Sequence, residues 1–195
     1  MVSSVANANI VSNGGFESGT GTLADGWIQN ALDGSTVQRV TETPYAGSYC
    51  IKGVIDNTTG APGKAEILQQ TAVGSITSGN SYDFSFYAKG TVGPGCVAWY
   101  QIQWLDGDGS NGGGIKGMTP LSGFWTALNS NYQQFSQLGQ IAPAGADCAY
   151  LSIRIEGGAF VGSNGTMYVD NVSITPEPIT LALLGLGGLF LRRRK

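Results

Sequence analysis

The sequence predicts an all-β chain, a jelly-roll β-sandwich followed by one short C-terminal transmembrane helix. Three observations carry this. Apolar and polar residues alternate with period two in Tyr82–Lys89, Cys96–Leu105 and Ala149–Glu156, as half-buried strands require. The 31 glycines recur between such runs, where turns are needed. No stretch of the body repeats apolar residues at helical spacing, so the only helix expected is the uniformly apolar run near the C-terminus.

The strands follow in order. Asn9–Glu17 reads as a short apolar strand running into a glycine turn, and Trp27 sits in a polar loop after Gly26. Val37–Thr43 alternates, Pro44–Gly47 turns, and Ser48–Ile55 and Glu66–Val73 continue the pattern. In Tyr82–Lys89, Tyr82, Phe84, Phe86 and Ala88 share one face. Cys96–Leu105 places Ala98, Tyr100, Ile102 and Trp104 on its apolar face, leaving Trp99, Gln101 and Gln103 on the other. Asp106–Gly114 is a glycine-rich hairpin loop. It carries Asn111 where a helix-loop-helix calcium site needs glycine and Gly117 where it needs glutamate. Trp125–Leu138 holds one strand, Ala149–Glu156 another, and Thr166–Ile174 the last. Eight or nine short strands with turns between them make a sandwich.

The quoted net charge of −3 hides a division. The tail from Pro176 holds four of the ten basic residues and one of the thirteen acidic ones, leaving the body at −6. An acidic body without a basic stripe argues against a nucleic-acid partner. Three cysteines permit at most one disulfide, for which Cys96 and Cys148 are the expected pair; three small buried thiols are the alternative. The absence of histidine removes the usual neutral-pH base and a common zinc ligand. Ala6-Asn7-Ala8 has the pattern of a signal-peptidase site, so residues 1–8 are expected to be the remnant of a signal peptide. The folded body is then 9–175.

The tail, 176–195, has three parts: Pro176, Glu177 and Pro178; an apolar run from Ile179 to Leu191; and Arg192, Arg193, Arg194 and Lys195. Cations closing an apolar segment stay on the cytoplasmic side. At about 1.5 Å per residue the run spans only about 20 Å of a core of about 30 Å, which makes a weak permanent anchor. The order of parts resembles the PEP-CTERM sorting signal of Gram-negative bacteria. That resemblance implies processing by exosortase, an inner-membrane-anchored precursor, and release to the cell surface or extracellular matrix.

The NGGFE sequence near the start, YDFSFYAKG in the middle and MYVDNVSI at the end resemble carbohydrate-binding modules of the family-four, family-nine and family-twenty-two type, within the galactose-binding-like superfamily. The resemblance implies a structural calcium held by Gly15, Glu17, Tyr49 through its backbone, and Asp170. Ala46 stands where relatives can carry a further acidic ligand. Glu17 and Asp170 bonding backbone amides in turns is the alternative. For a glycan such as exopolysaccharide, sugar recognition needs an aromatic ring with amides and charges beside it, which Trp99, Gln101 and Gln103 supply. Tyr150, Arg154 and Glu156 join them if their strand lies in the same sheet. Trp99 packed beneath a loop is the competing reading, and Glu66–Thr71 lacks the ring that relatives often place there. The scattered acids, with no nucleophile elbow, P-loop or zinc spacing, predict no enzyme. A purely structural surface protein is the main rival to a glycan binder, with a small polysaccharide hydrolase more distant.

Overall fold

A computed structural model describes residues 8–107, 114–159 and 161–177. Two sheets face each other across one core. The first has the order β10-β8-β12-β6-β3, with β9 also alongside β8; the second runs β11-β7-β13-β5-β4. Their strands are β3 (Ile28–Leu32), β4 (Ser35–Val40), β5 (Cys50–Asp56), β6 (Gly63–Gln70), β7 (Ser81–Val92), β8 (Cys96–Leu105), β9 (Ile115–Met118), β10 (Ser122–Gly123), β11 (Gln133–Ile141), β12 (Cys148–Gly157) and β13 (Asn164–Pro176). A small ribbon, β1 (Gly19–Thr20) with β2 (Leu23–Ala24), stands apart. Every pairing is antiparallel.

The alternating runs do what their period requires. Phe84, Phe86, Tyr100, Ile102, Leu151, Ile153 and Ile155 all point between the sheets and are buried. Rings of Phe86, Tyr100, Phe124 and Phe135 meet edge to face or tilted at 4.8–5.8 Å, filling the core with the offset geometry that aromatic quadrupoles favour.

Several expectations are corrected. Asn9–Glu17 is a turn segment, because Asn13 and Phe16 adopt left-handed backbone at φ 47° and 58°. It still closes the sandwich: Ile10 N donates to Ile174 O, Val172 N donates to Gly14 O, and the Asn9 side chain bridges Val172 O and Ile174 N. Gly14 fits only without a side chain, since a Cβ there would lie 2.0 Å from Val172 O. Residues 125–127 form a turn rather than starting a strand, closed by Ala127 N and Leu128 N on Phe124 O. No disulfide joins Cys96 to Cys148. They lie at opposite ends of the β8–β12 pair, Cys148 beside Leu105 and Cys96 beside Gly157, and all three cysteines are buried thiols. Burial pushes the Cys50 and Cys148 thiols up to about 11.

β8 and β9 form a hairpin around the glycine-rich loop, of which 108–113 lie outside the described residues. Residues 1–7 of the leader expected over 1–8, Pro178, the helix expected over 179–191 and the basic stop expected over 192–195 also lie outside them. Pro176 closes β13, and Glu177 N donates to Ser81 O.

Candidate functional site

The strand order decides what the sequence left open. β12 lies directly beside β8, with Arg154 opposite Trp99, Ser152 opposite Gln101 and Tyr150 opposite Gln103. On the other side of β12, β6 places Glu66, Leu68 and Gln70 against the same three residues, and β3 adds Asn30 beside Glu66. All six residues expected to meet a sugar therefore share the outer face of the first sheet. They border a recess of about 380 Å³ over Glu66, Leu68, Ser152 and Trp99, with a second hollow of about 460 Å³ continuing past Glu156 towards Leu32 and Val97.

The recess is organised by charge. Glu66, 5% exposed, accepts from Ser152 Oγ at 2.7 Å and pairs with Lys64 at 2.8 Å and Arg154 at 3.3 Å. Burial alone would push its carboxyl up. The bonds from Lys64 and Ser152 and the charges of Lys64 and Arg154 outweigh that and hold it below the ordinary carboxylate range. Arg154 Nε lies 3.1 Å from Glu156 Oε1, and Trp99 Nε1 donates to Glu156 Oε2 at 2.9 Å. One connected set thus runs from Lys64 through Glu66, Arg154 and Glu156 to the indole of Trp99.

This corrects the role expected of Trp99. The Arg154 guanidinium covers its ring at 3.2 Å from the centroid, and the residue is 9% exposed. A sugar cannot stack there while Arg154 holds its place. An exposed aromatic near this face is Trp125, at 41%. Its ring lies across Gly123, where a Cβ would come within 1.9 Å of it, and Gly123 is the β10 neighbour of Trp99. Trp125 therefore overhangs the edge of the same face. Sequence reading missed this by placing it inside a strand; the signal was the glycine two residues earlier. Gln101 Nε2 donates to Thr119 O, whereas the Gln103 amide and Tyr150 hydroxyl have no side-chain partner among the described residues.

The two carboxylates expected to hold calcium, Glu17 and Asp170, both bond the turn 45–49. Asp170, fully buried, accepts Tyr45 N and Ala46 N on Oδ2 and Asn171 N on Oδ1. Glu17 Oε1 accepts Ser48 N and Tyr49 N, which leaves Oε2 unengaged. The bulge at Asn171 (φ 50°) separates these contacts from the regular ladder of β13. The amide-bonding alternative is thus present in the geometry. Burial raises the Asp170 carboxyl, the amide bonds lower it, and the Glu17 charge raises it again, for a net upward shift. Arg39, which stacks on Tyr49 of this turn, donates to the Phe16 and Glu17 carbonyls rather than to either carboxylate. Two carboxylates without a neutralising side chain fit a hard divalent cation. No third acidic, histidine or cysteine side chain joins them among the described residues, so main-chain carbonyls such as those of Gly15 and Tyr49, with water, would complete its six to eight oxygens.

Solved structures share this architecture at low sequence identity, which establishes the fold alone. A bacteriophage CBA120 tailspike protein 4 enzymatically active domain matches at TM-score 0.62 and 20% identity over 86% of this chain; that match spans 21% of the tailspike chain. TmCBM61 in complex with β-1,4-galactotriose matches at 0.55 and 15% over 87% of this chain and 99% of its own. The CBM22-1 xylan-binding domain of Paenibacillus barcinonensis Xyn10C matches at 0.52 and 15%, over 88% and 96%. No curated protein matches in sequence. Residues 175–195 match the PEP-CTERM protein-sorting motif, which marks an exported, membrane-anchored precursor sorted to the cell surface. Residues 8–138 match the CBM_4_9 carbohydrate binding domain, and with its two-sheet fold the chain belongs to that family.

Proposed function

We propose that this is a non-catalytic glycan-binding protein of the surface or exopolysaccharide matrix, processed by exosortase, whose ligand occupies the recess on the first sheet. The observation that carries the reading is one outer face that has the exposed ring of Trp125 at its edge and, further along β8 and β12, Gln103 and Tyr150 with hydrogen-bonding capacity unused among the described residues. A pyranose offers an apolar face to such a ring and hydroxyls to such groups. Hydrolysis is disfavoured chemically. A glycosidase needs a carboxyl raised to serve as acid, and Glu66 is held low by its cations.

Native gels containing β-1,4-galactan, xylan or the producer's own extracellular polysaccharide test this. Retardation in one gel is expected. Trp125→Ala should weaken it about 30-fold, the scale of an aromatic hot spot, without lowering the melting temperature. Retardation by none of these polymers would favour a purely structural surface protein.

A structural calcium at Glu17 and Asp170 belongs to the same proposal. Calcium would hold the two carboxylates together and tie the turn 45–49 to β13. At a hundredfold excess over its dissociation constant it should raise Tm by roughly 5–10 °C, reversed by a chelator. A melt indifferent to both would remove the metal from the reading.

A further inference from the structure

The outer face of the second sheet, on the opposite side of the sandwich from the recess, carries a separate built pocket. Its floor is Lys89 and Thr91 of β7 beside Tyr168 and Thr166 of β13, paired in register. Two loops arrive from opposite edges of the sheet and meet above it. Thr43 comes from the β4–β5 connection and Ser130 from the segment before β11. Tyr132 Oη donates to Thr43 O at 3.0 Å, and Gly90 N donates to Asn129 O. The hollow is open to solvent and measures about 280 Å³, room for one sugar unit of a longer chain.

Several of the pocket's polar side chains have no hydrogen-bond or ion-pair partner among the described residues. Lys89 Nζ sits 4.7 Å from the Tyr132 ring centroid and 5.4 Å from that of Tyr168, and no carboxylate pairs with it among the described residues. The other cation here, Lys52, is neutralised by Glu42 at 2.8 Å, and Glu42 also accepts from Tyr168 Oη. The hydroxyls of Thr43, Thr91, Ser130 and Thr166 make no side-chain hydrogen bond among the described residues. Tyr45, outside the pocket lining, stacks flat on Tyr87 at 3.8 Å, meets the Tyr132 ring at 5.5 Å and is 44% exposed. Thr43 holds a left-handed backbone at φ 54°, a conformation that β-branched residues adopt only when the surroundings impose it.

We infer that this pocket is a second carbohydrate site, selective for an acidic sugar, a pyranose carrying a carboxylate, with Lys89 meeting the carboxylate. A single ammonium fixed between two rings is a point charge for an anion. The surrounding hydroxyls donate to the carboxylate and accept from sugar hydroxyls. The Tyr168 ring in the floor offers the apolar surface that inorganic anions do not use.

Titration of the full chain with galacturonic acid oligomers, their methyl esters and sodium acetate tests it. The acid oligomer should bind, the ester at least tenfold more weakly and acetate not measurably, and 0.5 M salt should weaken the acid by a similar factor. Lys89→Met should weaken acid binding at least tenfold while leaving retardation by neutral polymers unchanged. Lys89→Arg, which keeps the charge, guards against simple misfolding and should retain most of the affinity. Equal affinity for acid and ester, full affinity in Lys89→Met, or no binding of the acid oligomer by the native chain would each overturn the assignment. Failure of the neutral-polymer gels alone would count only against the recess on the other face.

Discussion

Trp99→Ala is expected to destabilise the protein by about 3 kcal/mol, lowering Tm by roughly 6–12 °C. The indole is buried, supports the Arg154 guanidinium on one face and donates to Glu156. Removing it opens a cavity and frees Arg154, the residue that balances Glu66 and Glu156. Trp99→Phe keeps a ring under the guanidinium and loses only the indole donor, so it should recover more than half of the loss. Denaturant melts of the three proteins decide the matter. An alanine variant as stable as the native chain yet blind to glycan would restore Trp99 as an open platform and displace Trp125 from that role.

Asp170→Ala should cost about as much, about 3 kcal/mol, because three backbone amides lose their acceptor beneath a folded turn. Asp170→Asn keeps one oxygen for Tyr45 N and Ala46 N but sets a donor or a weakened acceptor against Asn171 N, so about half the loss is expected. The asparagine variant should also lose the calcium response. The pH dependence has a definite sign. The folded carboxyl lies above its unfolded value of 3.8, so the native state binds the proton more readily. The Asp170 contribution therefore favours folding as pH falls through the raised value and weakens as pH climbs past it. Glu66 acts oppositely: its folded value lies below 4.5, so its contribution is present above that pH and is lost on acidification. Comparing native and Asp170→Asn melts between about pH 3 and 7 isolates the first effect. A curve of unchanged shape in the variant would refute it.

The strands were legible where one face of each had to be buried. Tyr82–Lys89 and Cys96–Leu105 show it, the second with its observed boundaries. β3 was invisible because its large apolar residues, Ile28 and Leu32, point outward on an edge strand while Gln29 and Ala31 face inward. The residues of β8 and β12 expected to meet a sugar were legible as two sets, but their juxtaposition was not. Antiparallel partners separated by more than forty residues leave no mark in either strand's own pattern. The same limit explains the exchange of roles between Trp99 and Trp125. Which ring is covered depends on an arginine from another strand and a glycine on a two-residue one.

β13 ends at Pro176, where the sorting motif takes over, and it lies in the interior of its sheet, bonded to β7 on one side and β5 on the other. Tension applied through that end enters along the strand axis and loads both ladders in shear, so that many backbone hydrogen bonds must give way together. Had the tail hung from an edge strand and pulled across it, the bonds would peel one after another under far smaller loads. A protein held through that end is thereby suited to resist being dragged.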